Sequence, residues 1–329
     1  MGMARRIGFN AGVSDVPLYQ PVHQPVLLRE ALEQLAMRSG WVCVDATAGE
    51  GGHSMALLQA SAPSGRVLGI DRDPRSLARA ERRLNQFGDR FIPAQGTYAE
   101  LGQLAQEANI DRVDGVLMDL GLSSWQLETG GAGFSFQRDE PLDMRFDPND
   151  TRPDAAELVN TLSEDALAKL LFQYGEEPRA RTIARALVQE RQLNPIRTTG
   201  QLVELLKTIP GLGRGRRTHQ ATRTFQALRM AVNDELTNLQ AGLKAAIELL
   251  KPEGRLVVIS YHSLEDRLVK QTLAYQAAGC VCPPQIPVCV CNHQATVRII
   301  NRRIIRPTPA EVAANPRSRS ARMRVTEKL

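Results

Sequence analysis

The sequence is short of the features that mark secreted, fibrous and membrane proteins. Its 329 residues include only five cysteines, unevenly placed and too few for a disulfide framework. No apolar run approaches the ~18 residues that cross a bilayer, and no apolar segment of a secretory signal follows Arg5 and Arg6. With 43% hydrophobic and 23% charged residues, the chain has an ordinary globular composition. We therefore expect a cytoplasmic protein with no membrane partner.

Lysine is also scarce. Only six of the 41 basic residues are lysine, and the remaining 35 are arginine; the net charge is +5. Arginine binds phosphate through two parallel hydrogen bonds and stacks on bases, which suits a nucleic-acid partner. A GC-rich genome would enrich arginine as well, so composition alone leaves both explanations open.

The order of predicted elements indicates an α/β protein with an insertion. Four short apolar runs, alternating with helical patterns, predict parallel strands at 41–46, 66–71, 90–94 and 113–120. From residue 155 to 208 only helical patterns occur, with Thr199 as the expected N-cap of the last. Strand patterns return at 256–260, 297–305 and 321–327, and the first 22 residues form an extended arm.

We therefore predict a sheet domain that a helical domain of about 100 residues interrupts. The first part of the core covers residues 1–127, and its second part covers residues 228–329. The inserted all-helical domain, assigned to substrate recognition, covers residues 128–227.

A glycine-rich turn joins the first predicted strand to a helix. It reads DATAGEGGH from Asp45 to His53, and glycines there let the backbone approach a ligand at the helix N-terminus. Asp71 ends the next strand, 22 residues past Gly49, where a carboxylate can accept hydrogen bonds from two ribose hydroxyls. The pair suits a dinucleotide or S-adenosylmethionine, and a plain tight turn is the structural alternative.

Two features favour S-adenosylmethionine over NAD. The spacing is G-x-G-G rather than G-x-G-x-x-G, and Asp45 precedes the glycines at the strand end. Asp119 ends the fourth strand, and His262 follows the strand at 256–260. Open α/β sheets bind ligands at the carboxyl ends of their strands, so both side chains are candidates for the reacting centre.

Eight separate blocks resemble the MraW/RsmH family of bacterial methyltransferases. In chain order they are DATAGEGGHS (45–54), GIDRDP (69–74), DGVLMDLGLSS (114–124), GFSFQRDEPLDMR (133–145), YGEE (174–177), ATRTFQAL (221–228), ISYHSLEDRLVK (259–270) and NPRSRSA (315–321). The resemblance implies a class I, Rossmann-like, seven-stranded methyltransferase core. It also implies methyl transfer from S-adenosylmethionine to the exocyclic N4 of a cytosine in the decoding region of 16S ribosomal RNA. Ala132, where the family usually has arginine, is a departure.

The resemblance further implies which residues contact the cofactor. They are Gly51, Gly52, His53, Asp71, Tyr98, Asp119 and Gln126. Tyr98 follows the third strand and could stack on adenine, although a lone aromatic there is more often part of the core.

Asp119 and His262 are the candidate catalytic residues. The N4 amine of cytosine is a poor nucleophile, because its lone pair is delocalised into the ring. A hydrogen-bond acceptor can turn that lone pair toward an activated methyl group, with neither a metal nor a covalent intermediate. We expect Asp119 to do this, with His262 as the second candidate; helix capping is the alternative role of His262.

Two arginine-rich segments are candidate RNA contacts, with a solvated surface as the alternative. One contains Arg214, Arg216, Arg217, Arg223 and Arg229, and the other contains Arg317, Arg319, Arg322 and Arg324. The expected partner is the small-subunit RNA or the assembled subunit. A NAD-dependent oxidoreductase and a non-catalytic RNA-binding assembly factor are the rival functions.

Four of the five cysteines lie close together as Cys280-x-Cys282 and Cys289-x-Cys291. Four thiols at this spacing could bind zinc. Because C-x-C is a less usual half-site than C-x₂-C, reduced thiols without a metal are the favoured interpretation. Cys43 is expected to be a small buried hydrophobic residue.

Overall fold

A computed structural model describes residues 25–128, 131–213, 219–283, 285 and 288–329. The expected N-terminal arm and three arginines of the first basic segment, Arg214, Arg216 and Arg217, lie outside the described residues.

The described residues contain one sheet of seven strands. They are β1 (Val42–Asp45), β2 (Arg66–Asp71), β3 (Phe91–Gln95), β4 (Val113–Asp119), β5 (Leu250–Ser260), β6 (Val297–Ile299) and β7 (Arg322–Lys328). The strand order is β3-β2-β1-β4-β5-β7-β6. Strands β1 to β5 pair in parallel, and β7 is antiparallel to both β5 and β6. The predicted class I, seven-stranded, Rossmann-like core is confirmed.

Thirteen α-helices accompany this sheet in the described part of the chain. They are α1 (Leu28–Leu35), α2 (Gly52–Ala60), α3 (Pro74–Leu84), α4 (Leu101–Glu107), α5 (Ser124–Glu128), α6 (Ala155–Thr161), α7 (Glu164–Gly175), α8 (Ala180–Leu193), α9 (Thr199–Thr208), α10 (Thr222–Asn233), α11 (Glu235–Leu249), α12 (Ser263–Ala277) and α13 (Pro309–Ala314). None of the described helices is long and apolar enough to cross a membrane.

The parallel register brings three aspartates to one edge of the sheet. Asp45 pairs with Gly69 of β2 on one side and with Leu117 of β4 on the other. Asp71 and Asp119 each lie two residues beyond these partners, at the carboxyl ends of β2 and β4. The neighbouring strands therefore present Asp71, Asp45 and Asp119 at the edge where open α/β sheets bind ligands.

Two predicted strands differ in length by six residues from those in the structure, whereas the other five agree to within two residues. β5 begins at Leu250 rather than 256, because Leu250 already pairs with Val113 before the register shifts and resumes at Arg255. The predicted turn at 252–254 is the irregularity inside this strand, with Glu253 at φ 65°. β6 is shorter than expected, because the side chain of Asn301 replaces backbone hydrogen bonds between the strands. Its Oδ1 accepts from Val325 N (2.6 Å), and its Nδ2 donates to Met323 O.

Helices α6 to α10 pack around a hydrophobic cluster of their own. Its buried members run from Phe134 to Val232, and none of them belongs to the seven strands. The sheet has separate apolar clusters on its two faces. The N-cap of α9 is Thr198, not Thr199 as predicted. The Thr198 hydroxyl accepts from Gln201 N, and Thr198 N donates to Oε1 of the Gln201 side chain.

Asn233, at the end of α10, ties the helical cluster to the segment that follows Leu142. Its fully buried amide donates to Met144 O (2.7 Å) and accepts from Phe146 N (3.0 Å). The same Nδ2 also donates to Arg229 O (2.9 Å). These bonds fix the position of Phe146, which lines the cavity described below.

Candidate active site

A cavity of about 530 Å³ lies at the carboxyl edge of the sheet, beneath the helical cluster. Its lining includes seven of the predicted site residues, which are Gly52, His53, Asp71, Tyr98, Asp119, Gln126 and His262. Gly51 does not line it. The volume is within the usual range of small-molecule sites, ~300–1,000 Å³.

The glycine-rich turn owes its shape to two left-handed residues, Gly49 (φ 52°) and Gly51 (φ 78°). A Cβ atom at Gly51 would lie 2.9 Å from Leu84 Cδ1, so this glycine lets α2 approach α3 closely. At Gly52 a Cβ atom would lie 2.6 Å from Pro25 Cγ. Both glycines therefore serve packing as well as conformation, and the role of Gly51 as a cofactor contact stays a prediction.

Asp71 is held by the backbone on both of its oxygens. Oδ2 accepts from Gly49 N (2.7 Å), and Oδ1 accepts from Asp73 N (2.9 Å). Burial raises the pKa of Asp71 to about 6, although these two N–H groups act in the opposite direction. The turn and the acidic strand end, found separately in the sequence, are thus one hydrogen-bonded unit.

Asp45 is fully buried below the cavity. Its Oδ2 accepts from the Ser54 hydroxyl (2.6 Å), and its Oδ1 accepts from Thr47 N (3.3 Å). Burial raises the pKa of Asp45. The residue joins the start of α2 to the end of β1, so its structural role is to hold the turn in place.

Asp119 is the centre of a polar cluster at the cavity wall. Its Oδ1 accepts from the Tyr261 hydroxyl (2.8 Å), and its backbone N donates to Thr47 Oγ1 (2.7 Å). The Nε2 atom of buried His53 lies 3.4 Å from Asp119 Oδ2. Burial lowers the pKa of His53, but the carboxylates of Asp119 and Asp45 outweigh this effect and raise it overall.

His262 is committed to the start of α12. It is the N-cap residue: Nδ1 accepts from Glu265 N (3.4 Å), and Glu265 Oε2 accepts in return from His262 N. Nε2 lies 3.1 Å from Glu265 Oε1. The capping alternative is therefore what the structure contains, although the ring also lines the cavity.

Arg229 supplies positive charge beneath His262. It binds both oxygens of buried Glu235, at 2.7 and 2.9 Å. Glu235, His262 and Glu265 have ligand-type atoms within 4.8 Å of one another. Burial raises the pKa of Glu265, but His262 and Arg229 outweigh it and hold that pKa below its usual value. The positive charge of Arg229 therefore compensates the negative charge of the two glutamates in this cluster.

Tyr98 and Gln126 both line the cavity. Tyr98 packs against the backbone of α11, where a Cβ atom at Gly242 would lie 2.7 Å from Tyr98 Cδ2. Burial raises the pKa of the Tyr98 hydroxyl. The Gln126 amide is buried, accepts from Ser123 N (3.0 Å) and donates to Asp73 Oδ2 (3.3 Å). It therefore connects α5 to Asp73, the N-cap residue of α3.

Comparison with known proteins decides the family. Residues 20–329 match the sequence model of the MraW methylase family. This chain belongs to the MraW methylase family. It is similar to "Ribosomal RNA small subunit methyltransferase H" of Thermomicrobium roseum, at 54% identity over 93% of this chain and 94% of that one. The Geobacter sulfurreducens protein of the same name is 50% identical over 93% of this chain and 99% of that one.

One solved structure with a similar shape is a putative rRNA-methylase from Clostridium thermocellum. It covers 94% of this chain and 100% of its own, with 13% identity and a TM-score of 0.43. The fold assignment of this MraW-family chain rests instead on its strand order.

Four phenylalanines line the cavity of this MraW-family chain, although the sequence analysis did not single them out as site residues. They are Phe134, Phe136, Phe146 and Phe225. Phe134 stacks on Phe146 with ring centroids 5.4 Å apart, and Phe225 meets Phe136 edge-on at 5.5 Å. All four line the cavity from the side of the helical cluster. Phe134 and Phe136 belong to the GFSFQRDEPLDMR block and Phe225 belongs to the ATRTFQAL block, which were the available signals. Tyr261 was also missed, although it directly precedes His262.

Some arginines of both arginine-rich segments are bound within the protein, and RNA contact by either segment stays a prediction. In the first, Arg229 binds both carboxylate oxygens of buried Glu235, and one guanidinium nitrogen of Arg223 donates to Glu176 O. In the second, Arg322 and Arg324 both bind Asp266, at 2.9 and 2.8 Å. They alternate with buried residues along β7 and serve the sheet. Arg317 differs, because it lines the cavity and its side chain is 43% exposed.

Proposed function

We propose that this protein transfers a methyl group from S-adenosylmethionine to the exocyclic N4 of a cytosine in the decoding region of bacterial 16S ribosomal RNA. The observation that carries the proposal is one cavity lined by Asp71, Asp119 and a phenylalanine wall. The names of the curated relatives support the class of RNA substrate. We expect the protein to act in the cytoplasm, on the RNA or on the assembled small subunit.

The residues at the carboxyl edge fit S-adenosylmethionine. Gly51 gives α2 no side-chain cap, so the first N–H groups of α2 are available for the ligand's carboxylate. Asp71 has one oxygen lone pair left on each carboxylate oxygen for the ribose hydroxyls. Tyr98 and Gln126 line the same cavity and complete the proposed cofactor contacts with Gly51, Gly52, His53 and Asp119.

When bound, the cofactor supplies a methyl group that its positively charged sulfur has already activated. The protein therefore has to hold and orient the amine, and Asp119 is our candidate for that task. Tyr261 and His53 leave lone pairs of the Asp119 carboxylate free to accept a hydrogen bond from N4. The carboxylate can also take the proton that the methylated nitrogen releases.

His262 is the weaker of the two catalytic candidates. Its Nδ1 caps α12, and its Nε2 faces Glu265, so the ring has less freedom than Asp119 to meet a substrate. We retain it as a cavity residue whose replacement distinguishes the two assignments.

We further propose that the helical region, residues 128–227, recognises the RNA substrate, and that residues 1–127 and 228–329 form the methyltransferase core. The support is the phenylalanine wall, since Phe134, Phe136 and Phe225 line the cavity and also pack in or against the helical cluster. Aromatic faces are suitable platforms for a base taken out of its stack.

The deciding experiment is methyl transfer in vitro. Small-subunit RNA, and separately small subunits, lacking the modification are incubated with the protein and S-adenosylmethionine, then digested and analysed by mass spectrometry. We expect N4-methylcytidine. Methylation at another atom would overturn the proposed position, and no methylation of either substrate would favour a non-catalytic assembly factor.

Calorimetry tests the cofactor separately. We expect S-adenosylhomocysteine to bind and NAD not to bind. Tight binding of NAD without a response to S-adenosylhomocysteine would favour the oxidoreductase alternative.

A further inference from the structure

The sulfur atoms of Cys280, Cys282, Cys289 and Cys291 converge on one point. Sγ of Cys289 lies 3.4 Å from that of Cys280, 4.0 Å from Cys282 and 3.5 Å from Cys291, and Cys280 and Cys291 are 3.8 Å apart. All four lie within 4.8 Å of one another. With Zn–S bonds of ~2.3 Å, a tetrahedral site requires sulfur separations of ~3.8 Å. The cluster therefore has the dimensions of a four-thiolate metal site.

These separations exclude disulfide bonds in this conformation. A disulfide has an S–S length of ~2.05 Å, and all four cysteines are free. Cys280 and Cys289 are exposed and Cys282 and Cys291 are half-buried, so the cluster is accessible to an ion from solvent.

Backbone N–H groups point at three of the sulfurs. Val281 N donates to Cys291 (3.5 Å), Cys282 N to Cys280 (3.4 Å) and Val290 N to Cys282 (3.4 Å). Such donors stabilise thiolates, which are the form that binds metal.

The segment that carries the cysteines has little else to hold it together. It connects α12 to β6, and its valines are exposed: Val281 at 38%, Val288 at 71% and Val290 at 69%. Its base is fastened to the end of α12, where Thr296 N donates to Gln276 O (2.8 Å) and His293 Nε2 lies 3.0 Å from Tyr275 O. Among the described residues beyond that base, the contacts among the four cysteines are what holds the two ends of the segment together.

We propose that Cys280, Cys282, Cys289 and Cys291 bind one zinc ion, which closes the connection between α12 and β6. Four protein ligands leave no open coordination position, so the site is structural. Binding displaces the thiol protons to solvent and needs no oxidant. None of the four cysteines lines the cavity at the sheet edge, so the site is separate from the proposed methyl-transfer chemistry. This revises the interpretation favoured from the C-x-C spacing.

The test is the metal content of the full chain, produced without a histidine tag and purified in a reducing buffer. We expect elemental mass spectrometry to find about one zinc per chain. The double variant Cys280→Ser/Cys289→Ser should lose it. Replacing zinc by Co²⁺ should give the visible absorption of a tetrahedral thiolate site in the wild type and not in the double variant.

Cys43→Ala is the matched control, because it removes the fifth cysteine without touching the cluster. Cys43 is fully buried in β1, and burial raises its pKa to about 12. This variant should keep its zinc. Circular dichroism of each variant reports whether the sheet domain has folded.

Wild-type protein without metal that also fails to take up Zn²⁺ against a chromophoric chelator would overturn the proposal. So would stoichiometric iron in place of zinc, or disulfides among the four cysteines in the reduced preparation. Loss of zinc from the Cys43→Ala variant as complete as from the double variant would do the same.

Discussion

The Tyr261 hydroxyl donates to Asp119 Oδ1 at 2.8 Å, joining the residue after β5 to the last residue of β4. Burial raises the pKa of Tyr261 well above its ordinary value, and the nearby Asp119 carboxylate adds to this. Tyr261 therefore remains a protonated donor across the physiological range. Because β4 and β5 are parallel neighbours, the two side chains meet at the edge that carries the cavity.

Tyr261→Phe should reduce kcat by about tenfold at saturating substrates, with a smaller change in S-adenosylhomocysteine affinity. The phenyl ring keeps the packing but loses a hydrogen bond to a charged acceptor, worth ~1.5–3 kcal/mol, only part of which orients the carboxylate. Steady-state kinetics with calorimetry measures both. Tyr275→Phe, at a tyrosine 53% exposed on α12, is the matched control and should behave as wild type. An unchanged kcat in Tyr261→Phe would show that the bond does not position Asp119.

Asp119→Asn should reduce kcat by roughly 10- to 150-fold even when cofactor and RNA are saturating, because the orienting acceptor loses its charge. Asp71→Ala is the contrasting variant. It should mainly raise the KM for S-adenosylmethionine, since ribose contacts are equal in ground and transition states. A wild-type kcat for Asp119→Asn would make Asp119 only a cofactor ligand and His262 the better candidate.

Asp71 should make stability depend on pH. Its pKa of about 6 in the folded protein is above the ~3.9 of an unfolded chain, so this group favours folding at low pH. That contribution is lost as the pH rises from ~4 through 6. Asp71→Asn cannot ionise, so its free energy of unfolding relative to wild type should increase by about 1–2 kcal/mol over this range.

Denaturant titrations at several pH values measure this difference. Asp165→Asn, at an exposed position of α7, is the control and should show no such trend. If the free energy of unfolding of Asp71→Asn differs from that of the wild type by the same amount at every pH, the raised pKa of Asp71 is contradicted.

Asn233→Ala should lower the free energy of unfolding by about 2–4 kcal/mol, because it leaves buried backbone groups of Met144 and Phe146 without their partner. Thermal and denaturant unfolding measure the loss. Asn149→Ala, at an exposed asparagine, should change stability by less than about 0.5 kcal/mol. Equal effects of the two substitutions would argue against the bridging role of Asn233.

Arg317→Ala should weaken RNA binding a few-fold and flatten its salt dependence by about one phosphate contact, with unchanged S-adenosylhomocysteine affinity. Arg317 lines the cavity, and its guanidinium lies 2.9 Å from the carboxylate of Glu128. The side chain of Glu128 is itself half-exposed. Binding titrations over a range of salt concentrations test this. Arg185→Ala on α8, at a side chain 66% exposed away from the cavity lining, should leave the slope unchanged.

Much of the sheet was predictable, because its strands are short apolar runs bounded by turn residues. β2 has the predicted bounds, and the glycine-rich turn lies where the pattern placed it, between β1 and α2. The lengths of β5 and β6 were not predictable. They depend on how Leu250 pairs with Val113 and on the Asn301 side chain, which are contacts between segments far apart in the chain.

Local chemistry determined the acidic strand ends, the glycine turn and the helical insertion, since each follows from residues a few positions apart. Only the tertiary structure decided which of these groups meet. It paired Tyr261 with Asp119 across 142 residues, committed His262 to capping α12, and bound Arg322 and Arg324 to Asp266. A side chain's partner depends on strand order and register, and these arise from the packing of the whole chain rather than from any one segment.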